Sequence, residues 1–488
     1  MKKSDIGIIG LAVMGENLTL NLESKGWLVS VYNRTVAGVE EGVVDRFTSG
    51  RAKDKNIVGF NQLGEFVNSL QAPRKIMMMV RAGTPVDELI EQLIPLLSAG
   101  DILIDGGNSN YKDTERRVEQ LEKKGFYFIG AGVSGGEEGA LNGASIMPGG
   151  SVDAWRDVRP ILQSIAAKAE DGAPCCEWIG GGGSGHFVKM IHNGIEYGDM
   201  QLISEAYFIM KALLESSNDE MADCFSHWNE GKLKSYLIEI TSHILKYKDA
   251  DGSYVIDKIL DVAGQKGTGK WTVINALELG MPLNLIATAV FERTISAWKE
   301  IRIEAAQAFN REAPKKTYVT EQLLVEVENS LYASKLVSYA QGFSVLKQAS
   351  EEFGWMLDLA AIARLWRGGC IIRSAFLNNI AKAFEEDPQL FSLLLAPYFK
   401  DEILNALPYW KKLVSVAVRE ELPVPAVSSA LNYFYSLTAS WLPANLIQAQ
   451  RDYFGAHTFE RIDLPRGVYV HTNWKGDGEN TKSGSYNA

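Results

Sequence analysis

Asp5-Ile6-Gly7-Ile8-Ile9-Gly10-Leu11-Ala12-Val13-Met14-Gly15 places a short apolar run directly before a glycine turn and the first residues of a helical stretch. Strand, glycine turn and helix in immediate succession form the phosphate-binding unit of dinucleotide folds. Gly10 permits the tight turn, and a small residue at Ala12 lets a pyrophosphate approach the backbone. Gly15 lets helix and strand pack closely. The helix N-terminus then offers free N–H groups and the positive end of its dipole to the phosphates. Ala12 departs from the usual glycine, and a glycine cluster can also be a purely structural turn. The placement, with a second apolar run about 20 residues on, favours the dinucleotide reading, with Gly10, Leu11, Ala12, Val13, Met14 and Gly15 as cofactor-binding residues.

The end of that second run selects the cofactor. An NAD site normally carries Asp or Glu there for the ribose 2′-hydroxyl, whereas this chain reads Val31-Tyr32-Asn33-Arg34-Thr35. Arg34 can pair with a 2′-phosphate that a carboxylate would repel, and Asn33 and Thr35 can donate hydrogen bonds beside it. A solvated surface arginine is the competing reading. At this position NADP is the expected cofactor.

Working outward, Asp5–Ile9, Trp27–Tyr32, Lys75–Val80, Asp101–Ile104 and Phe126–Ile129 read as strands, with helices such as Val86–Leu97 and Asp113–Lys124 between them. This alternation predicts an α/β, Rossmann-like N-terminal domain on a mainly parallel sheet over residues 1–180. The rhythm stops at Gly180–Gly183. Beyond it the apolar period is helical, as in Val290–Phe309, where Phe291, Ile295, Trp298, Ile301, Ala305 and Phe309 recur every three or four residues. A large all-α domain over residues 181–439 is expected, big enough to hold two related bundles, although no internal repeat is evident. Residues 440–488 form a C-terminal tail whose end, His471–Ala488, is polar. Composition favours a disordered tail there, with an arm ordered on another subunit as the alternative.

The 488 residues suggest about three domains. A net charge of −11 argues against coating nucleic acid or an anionic membrane, so any anionic ligand needs a locally basic site. Four cysteines do not make a disulfide scaffold: Cys175 and Cys176 are adjacent, while Cys224 and Cys370 are isolated. No Cys/His spacing suggests a metal site. Lys2-Lys3 and Ile6–Met14 imitate a signal peptide, but Asp5 interrupts them and no small-residue cleavage site follows. With no apolar run of about 18 residues, a cytoplasmic protein is expected.

Three further turns follow strands: Val80-Arg81-Ala82-Gly83, Asp105-Gly106-Gly107-Asn108-Ser109 and Gly132-Val133-Ser134-Gly135-Gly136-Glu137. Together they make a polar rim suited to a cofactor and an oxygen-rich substrate. The sharpest feature is Gly185-His186-Phe187-Val188-Lys189-Met190-Ile191-His192-Asn193-Gly194-Ile195-Glu196-Tyr197, which sets Lys189, His192, Asn193, Glu196 and Tyr197 on one helix face. Such a face is ordinarily solvated, and a Lys–Glu pair is ordinarily a surface ion pair. A desolvated lysine, however, becomes a general base, and a nearby glutamate a separately tuned acid.

These motifs, with Gln265-Lys266-Gly267-Thr268-Gly269-Lys270-Trp271, Gln448–His457 and His471-Thr472-Asn473-Trp474, give the chain a resemblance to the decarboxylating 6-phosphogluconate dehydrogenase family along essentially its whole length. Lys189–Tyr197 and Gln265–Trp271 are its most specific parts. The resemblance implies oxidation of 6-phosphogluconate at C3 by NADP, loss of CO₂ and formation of ribulose 5-phosphate, a step of the pentose phosphate pathway. It implies Lys189 as general base and then acid, and Glu196 as the acid that protonates C1. Asn108, Ser134, Gly135, Gly136, His192 and Asn193 would hold the carboxylate and hydroxyls. Tyr197, Lys266, Arg293, Arg451 and His457 would serve the phosphate end, and Thr268 would also bind substrate. Val80, Arg81, Ala82 and Asn108 would line the cofactor, with Arg81 standing where the family has Lys. The resemblance also implies a homodimer in which Arg451 and His457 reach the neighbouring site, so that 440–488 becomes an inter-subunit arm. Two rivals remain at this level: a β-hydroxyacid dehydrogenase for a non-phosphorylated acid, and a non-catalytic dinucleotide-binding protein.

Overall fold

The structure, a computed structural model, describes residues 2–35, 38–214, 216–310, 318–474 and 476. Its N-terminal part alternates strand and helix: β1 Ile6–Ile9, α1 Val13–Ser24, β2 Val29–Tyr32, α2 Val43–Ser49, β3 Ile57–Phe60, α3 Leu63–Asn68, β4 Lys75–Met78, α4 Thr84–Leu93, β5 Ile102–Asp105, α5 Tyr111–Glu122 and β6 Tyr127–Ser134. There follow α6 Gly136–Asn142, β7 Ser145–Gly150, α7 Val152–Ile165 and β8 Gly180–Gly181. The eight strands form one sheet in the order β3-β2-β1-β4-β5-β6-β7-β8. All neighbours pair in parallel except β6 with β7, where Ser134 faces Ser145. The chain runs outward from β1 to β3 and returns to continue at β4, so a crevice opens beyond the carboxyl ends of β1 and β4. Two separate apolar clusters cover the sheet, one including Ile6, Ile8, Ile104 and Ile129, the other Ile9, Ile76, Met78 and Leu103. Adjacent residues fall in opposite clusters because strand side chains alternate.

The mainly parallel sheet and helical second part agree with expectation, and each of the five expected strands is present. Three strands of this sheet lie outside the sequence reading. β3 is a half-buried edge strand carrying Gly59. β7 contains Pro148, Gly149 and Gly150, a composition that reads as a turn. β8 is only two residues long. Phe126–Ile129 continues to Ser134, so Gly132–Ser134 is strand rather than turn. Helix α4 stops at Leu93, where Pro95 enters a short 3₁₀ turn.

The helical part comprises α8 Ser184–Leu213, α9 Asn218–Trp228, α10 Tyr236–Lys246, α11 Thr268–Glu278, α12 Asn284–Ser296 and α13 Lys299–Ala308, then α14 Thr320–Phe353, α15 Leu359–Leu365, α16 Leu377–Glu386, α17 Pro397–Arg419 and α18 Pro425–Thr438. The long helices α8 and α14 pack through small residues: a Cβ at Gly342 would stand 2.6 Å from Ile195 Cδ1, and one at Gly198 2.6 Å from Ser338 Oγ. Between them lies a buried Lys335–Asp199 ion pair of 2.5 Å. The run Val290–Phe309 is not one helix. Ala297 and Trp298 close α12 with N–H bonds to Thr294 and Ile295, and α13 begins afresh.

The chain divides into two compact units, residues 1–431 and 432–488. The second holds α19 Ala444–Gly455 and a hairpin of β9 Phe459–Glu460 with β10 Tyr469–Val470. Its centre is the buried Asp452, which accepts bonds from His471 Nδ1 at 3.0 Å, the Thr472 N–H at 3.0 Å and Trp474 Nε1 at 2.8 Å. His471–Trp474 is therefore tied down, against the composition-based expectation of free coil. The rest of the polar end, including Ser485–Ala488, lies outside the described residues apart from residue 476.

Candidate active site

At the crevice, Gly10 adopts φ +99° and a Cβ there would lie 2.5 Å from the Met79 carbonyl oxygen; one at Gly15 would collide with Gly10 O. Only glycine lets β1 turn into α1 this tightly. Ala12 precedes α1 in extended conformation, and no side chain caps the helix, leaving its first N–H groups free for an anion. The Leu11 N–H bonds Asn33 Oδ1 at 2.9 Å, joining the first turn to the end of β2. A cleft of about 500 Å³ is lined here by Gly10, Leu11, Ala12, Asn33, Arg34, Val80 and Arg81, with Glu40 and Arg46. Val13, Met14 and Gly15 form the first turn of α1 behind it, and Thr35 and Ala82 follow Arg34 and Arg81 without lining it. A free helix terminus, a backbone open to close approach and an arginine at the end of β2 fit a phosphorylated dinucleotide.

The rim turns are braced from beneath. Asp105 accepts from the Gly107 N–H at 3.0 Å and the Ser109 hydroxyl at 2.6 Å, leaving Asn108 exposed on the turn between. Buried Arg117 spreads its fork over Asp87 at 2.8 Å, the Gly83 carbonyl at 3.0 Å and Asp105 at 3.4 Å. One guanidinium thus holds the Val80–Gly83 and Gly106–Ser109 turns in common register. The sequence reading names Asp105 only as the first residue of its turn and does not name Arg117.

Helix α8 enters across a bed of glycines. Side chains at Gly130, Gly132 or Gly185 would strike His186, Lys189 Cβ and the Gly130 carbonyl respectively, so α8 sits directly on the sheet. Lys189 is consequently only 6% exposed. Burial lowers its pKa, and the nearby Glu196 carboxylate partly restores it. Its Nζ lies 3.4 Å from His192 Nδ1. His192 bonds Ser134 through Nε2 at 3.0 Å, and burial pushes its pKa well below 6.5, so it stays neutral. His192 Nδ1 also meets Asn193 Oδ1 at 3.2 Å and stands 3.9 Å from Glu196 Oε2. Burial raises the Glu196 pKa, opposed by Lys189 and Arg293. An amine poised toward neutrality and a carboxyl poised toward protonation share one face, an acid–base arrangement.

Further along the same face, the Arg293 guanidinium lies 3.6 Å above the Tyr197 ring centre. Gly269 approaches the same ring so closely that a Cβ would come to 2.5 Å. Arg293 also donates to Gly264 O at 3.1 Å, holding the loop that carries Lys266, whose side chain is exposed. Gly267, at φ +94°, starts α11 at Thr268. Gly135 adopts φ +110°, and a Cβ there would stand 2.5 Å from Gly369 O. That contact seats the segment carrying Cys370, which sequence reading left aside; burial raises its thiol pKa to about 12, opposed by the nearby Lys189. The first unit thus assembles Ser134, Gly135, Lys189, His192, Asn193, Glu196, Tyr197 and Arg293, with Gly136 opening α6. Arg451 and His457 lie in the second unit. There Arg451 donates to Gln448 Oε1 at 3.1 Å, and the His457 ring packs on Phe454.

Residues 5–180 match the family described as "NAD binding domain of 6-phosphogluconate dehydrogenase", and residues 185–474 match "6-phosphogluconate dehydrogenase, C-terminal domain". Among similar proteins, decarboxylating 6-phosphogluconate dehydrogenase of Treponema pallidum is 54% identical, covering 99% of both chains. The protein of that name from Homo sapiens is 51% identical over 100% of both. A solved Plasmodium falciparum 6-phosphogluconate dehydrogenase, described in apo form and with NADP⁺ or 6-phosphogluconate, superimposes with a TM-score of 0.92. It is 45% identical, and the match covers 96% of this chain and 100% of that one.

Proposed function

The chain belongs to the 6-phosphogluconate dehydrogenase family, and from that premise we propose how its own residues carry out the reaction. It is an NADP-dependent oxidoreductase that converts 6-phosphogluconate to ribulose 5-phosphate and CO₂. Residues 1–180 bind NADP, 181–439 bind substrate and dimerise, and 440–488 form the arm. Gly10–Gly15, Asn33, Arg34, Val80 and Arg81 hold the cofactor, with Thr35, Ala82 and Asn108 on the adjoining turns. When bound, NADP⁺ supplies the hydride acceptor.

Lys189 Nζ, neutral on substrate arrival, removes the 3-hydroxyl proton as the C3 hydride departs. The resulting ammonium donates a hydrogen bond to the 3-keto oxygen and draws electrons toward it as the C1–C2 bond breaks and CO₂ leaves. It then returns its proton to that oxygen, giving the enediol. Glu196 protonates the carbon that becomes C1 of the product, while Lys189 Nζ takes the proton back from the former 3-keto oxygen, which becomes the C2 ketone of the product. Asn108, Ser134, Gly135, Gly136, His192 and Asn193 orient the carboxylate and hydroxyls. Tyr197, Lys266, Thr268 and Arg293 receive the phosphate end with Arg451 and His457 of the partner subunit.

The observation that carries this assignment is Lys189 held 6% exposed on the glycine bed, with burial lowering its pKa. The homodimer is supported by α12 and α13, where Phe291 is 62%, Trp298 52%, Ile301 60% and Phe309 80% exposed in the single chain. So much apolar surface along one predicted stripe calls for a partner. A cytoplasmic location is supported by Cys175, Cys176, Cys224 and Cys370 all being free thiols. Among the described residues no helix is long and apolar enough to cross a membrane.

The test is absorbance at the reduced-nicotinamide band with NADP⁺ and 6-phosphogluconate, together with released CO₂. Lys189→Met should abolish both while NADPH binding, followed by fluorescence, persists. Undiminished turnover would remove Lys189 from this role. Activity confined to non-phosphorylated hydroxyacids would overturn the substrate.

A further inference from the structure

Arg34, assigned above to the 2′-phosphate of NADP, already has an anionic partner. Its Nε lies 3.2 Å from Glu40 Oε2, and both side chains line the cofactor cleft. The loop that presents Glu40 is closed locally: the Gly38 N–H donates to Glu41 Oε1 at 2.9 Å, and Gly42 adopts φ +60° to start α2. Glu40 therefore presents a carboxylate to the Nε edge of the guanidinium assigned to the phosphate. The pair is 67% and 36% exposed, so its attraction is modest and a phosphate dianion can replace it. The two anions cannot share one guanidinium without repelling each other.

We propose that Glu40 is a specificity-determining residue, a carboxylate stand-in that the 2′-phosphate must displace from Arg34. This rests on the assignment of the cleft to NADP. Displacement costs part of the phosphate's binding free energy and reduces apparent affinity in proportion to the fraction of protein in the closed, paired form. NAD carries a 2′-hydroxyl, leaves the pair intact and can donate to the carboxylate. Glu40 accordingly narrows the discrimination between the two cofactors below what Arg34 alone would impose.

The experiment uses the full-length protein and calorimetric binding of adenosine 2′,5′-bisphosphate, with adenosine 5′-monophosphate as the probe that lacks the 2′-phosphate. Glu40→Gln should tighten the bisphosphate about two- to ten-fold, the scale of an exposed ion pair plus relieved repulsion. It should leave the monophosphate within about two-fold, which also reports an intact fold. Arg34→Ala should weaken the bisphosphate selectively. If Glu40→Gln leaves the bisphosphate unchanged or weaker while Arg34→Ala still weakens it, the role of Glu40 is overturned and the NADP assignment stands. If neither variant alters it, the assignment of Arg34 fails and carries the proposal with it.

Discussion

Two side chains on one face of α8 bring opposite proton chemistry into reach because the same burial acts on opposite charges. Desolvation drives Lys189 toward the amine and Glu196 toward the acid, while their mutual attraction resists both shifts. The coupling has a testable sign. Glu196→Gln removes the carboxylate that stabilises the ammonium, so the Lys189 pKa falls further and the acid limb of kcat/KM moves to lower pH. The same variant should reduce kcat by about 10²–10⁴-fold, the range for a lost general acid. A pH–rate profile of the residual activity checks both, and an acid limb that stays put or moves upward would separate the two groups. This stripe was legible because helical spacing alone puts residues 189, 192, 193, 196 and 197 together. The Asp105–Arg117–Gly83 brace was not, since its members meet only through sheet register and the placement of α5.

Among elements, legibility followed side-chain composition. Strands rich in Ile and Val were readable. β7 was not, because its Pro148-Gly149-Gly150 end serves α8: a side chain at Gly149 would come 2.6 Å from the Gly185 nitrogen. The break at Ala297–Trp298 escaped because apolar period is continuous across two helices that both present it outward. The junction of α8 with α18 supplies a pH prediction. Buried Glu205 accepts the Ala426 and Val427 N–H groups at 2.9 Å each, capping α18 from another helix. Burial pushes its pKa up to about 7 from 4.5, the backbone bonds opposing. A raised folded-state pKa means the folded protein holds the proton that the unfolded chain releases. The favourable contribution is complete below about pH 4.5 and declines as pH rises to about 7, by about 3 kcal/mol in all. Glu205→Gln has no such linkage. Thermal or denaturant unfolding across that interval should show wild type losing ground to the variant as pH rises, and a pH-independent difference would refute the shift.

At the scale of the whole molecule, a chain of net charge −11 must receive a phosphorylated, carboxylated substrate, so its cations have to be gathered locally. Lys266 and Arg293 come from the first compact unit, whereas Arg451 and His457 belong to the second, whose order around Asp452 gives residues 444–474 a defined shape. If the second unit completes a partner's site, catalytic and phosphate-binding functions are separable between chains. Lys189→Met removes the base but leaves the arm, and Arg451→Ala damages the arm but leaves the base. Each homodimer should be inactive or strongly impaired. Co-refolded or co-expressed at equal amounts, random pairing makes about half of the dimers mixed, and each mixed dimer has one site with both groups intact. Activity should therefore return to about a quarter of wild type per subunit, with the KM for 6-phosphogluconate of the unmodified enzyme. Phe291→Asp with Trp298→Asp, placed on the exposed stripe of α12 and α13, should yield a monomer by sedimentation and abolish this recovery. Mixtures no more active than their parents, from preparations shown to contain mixed dimers, would mean that each arm serves its own chain.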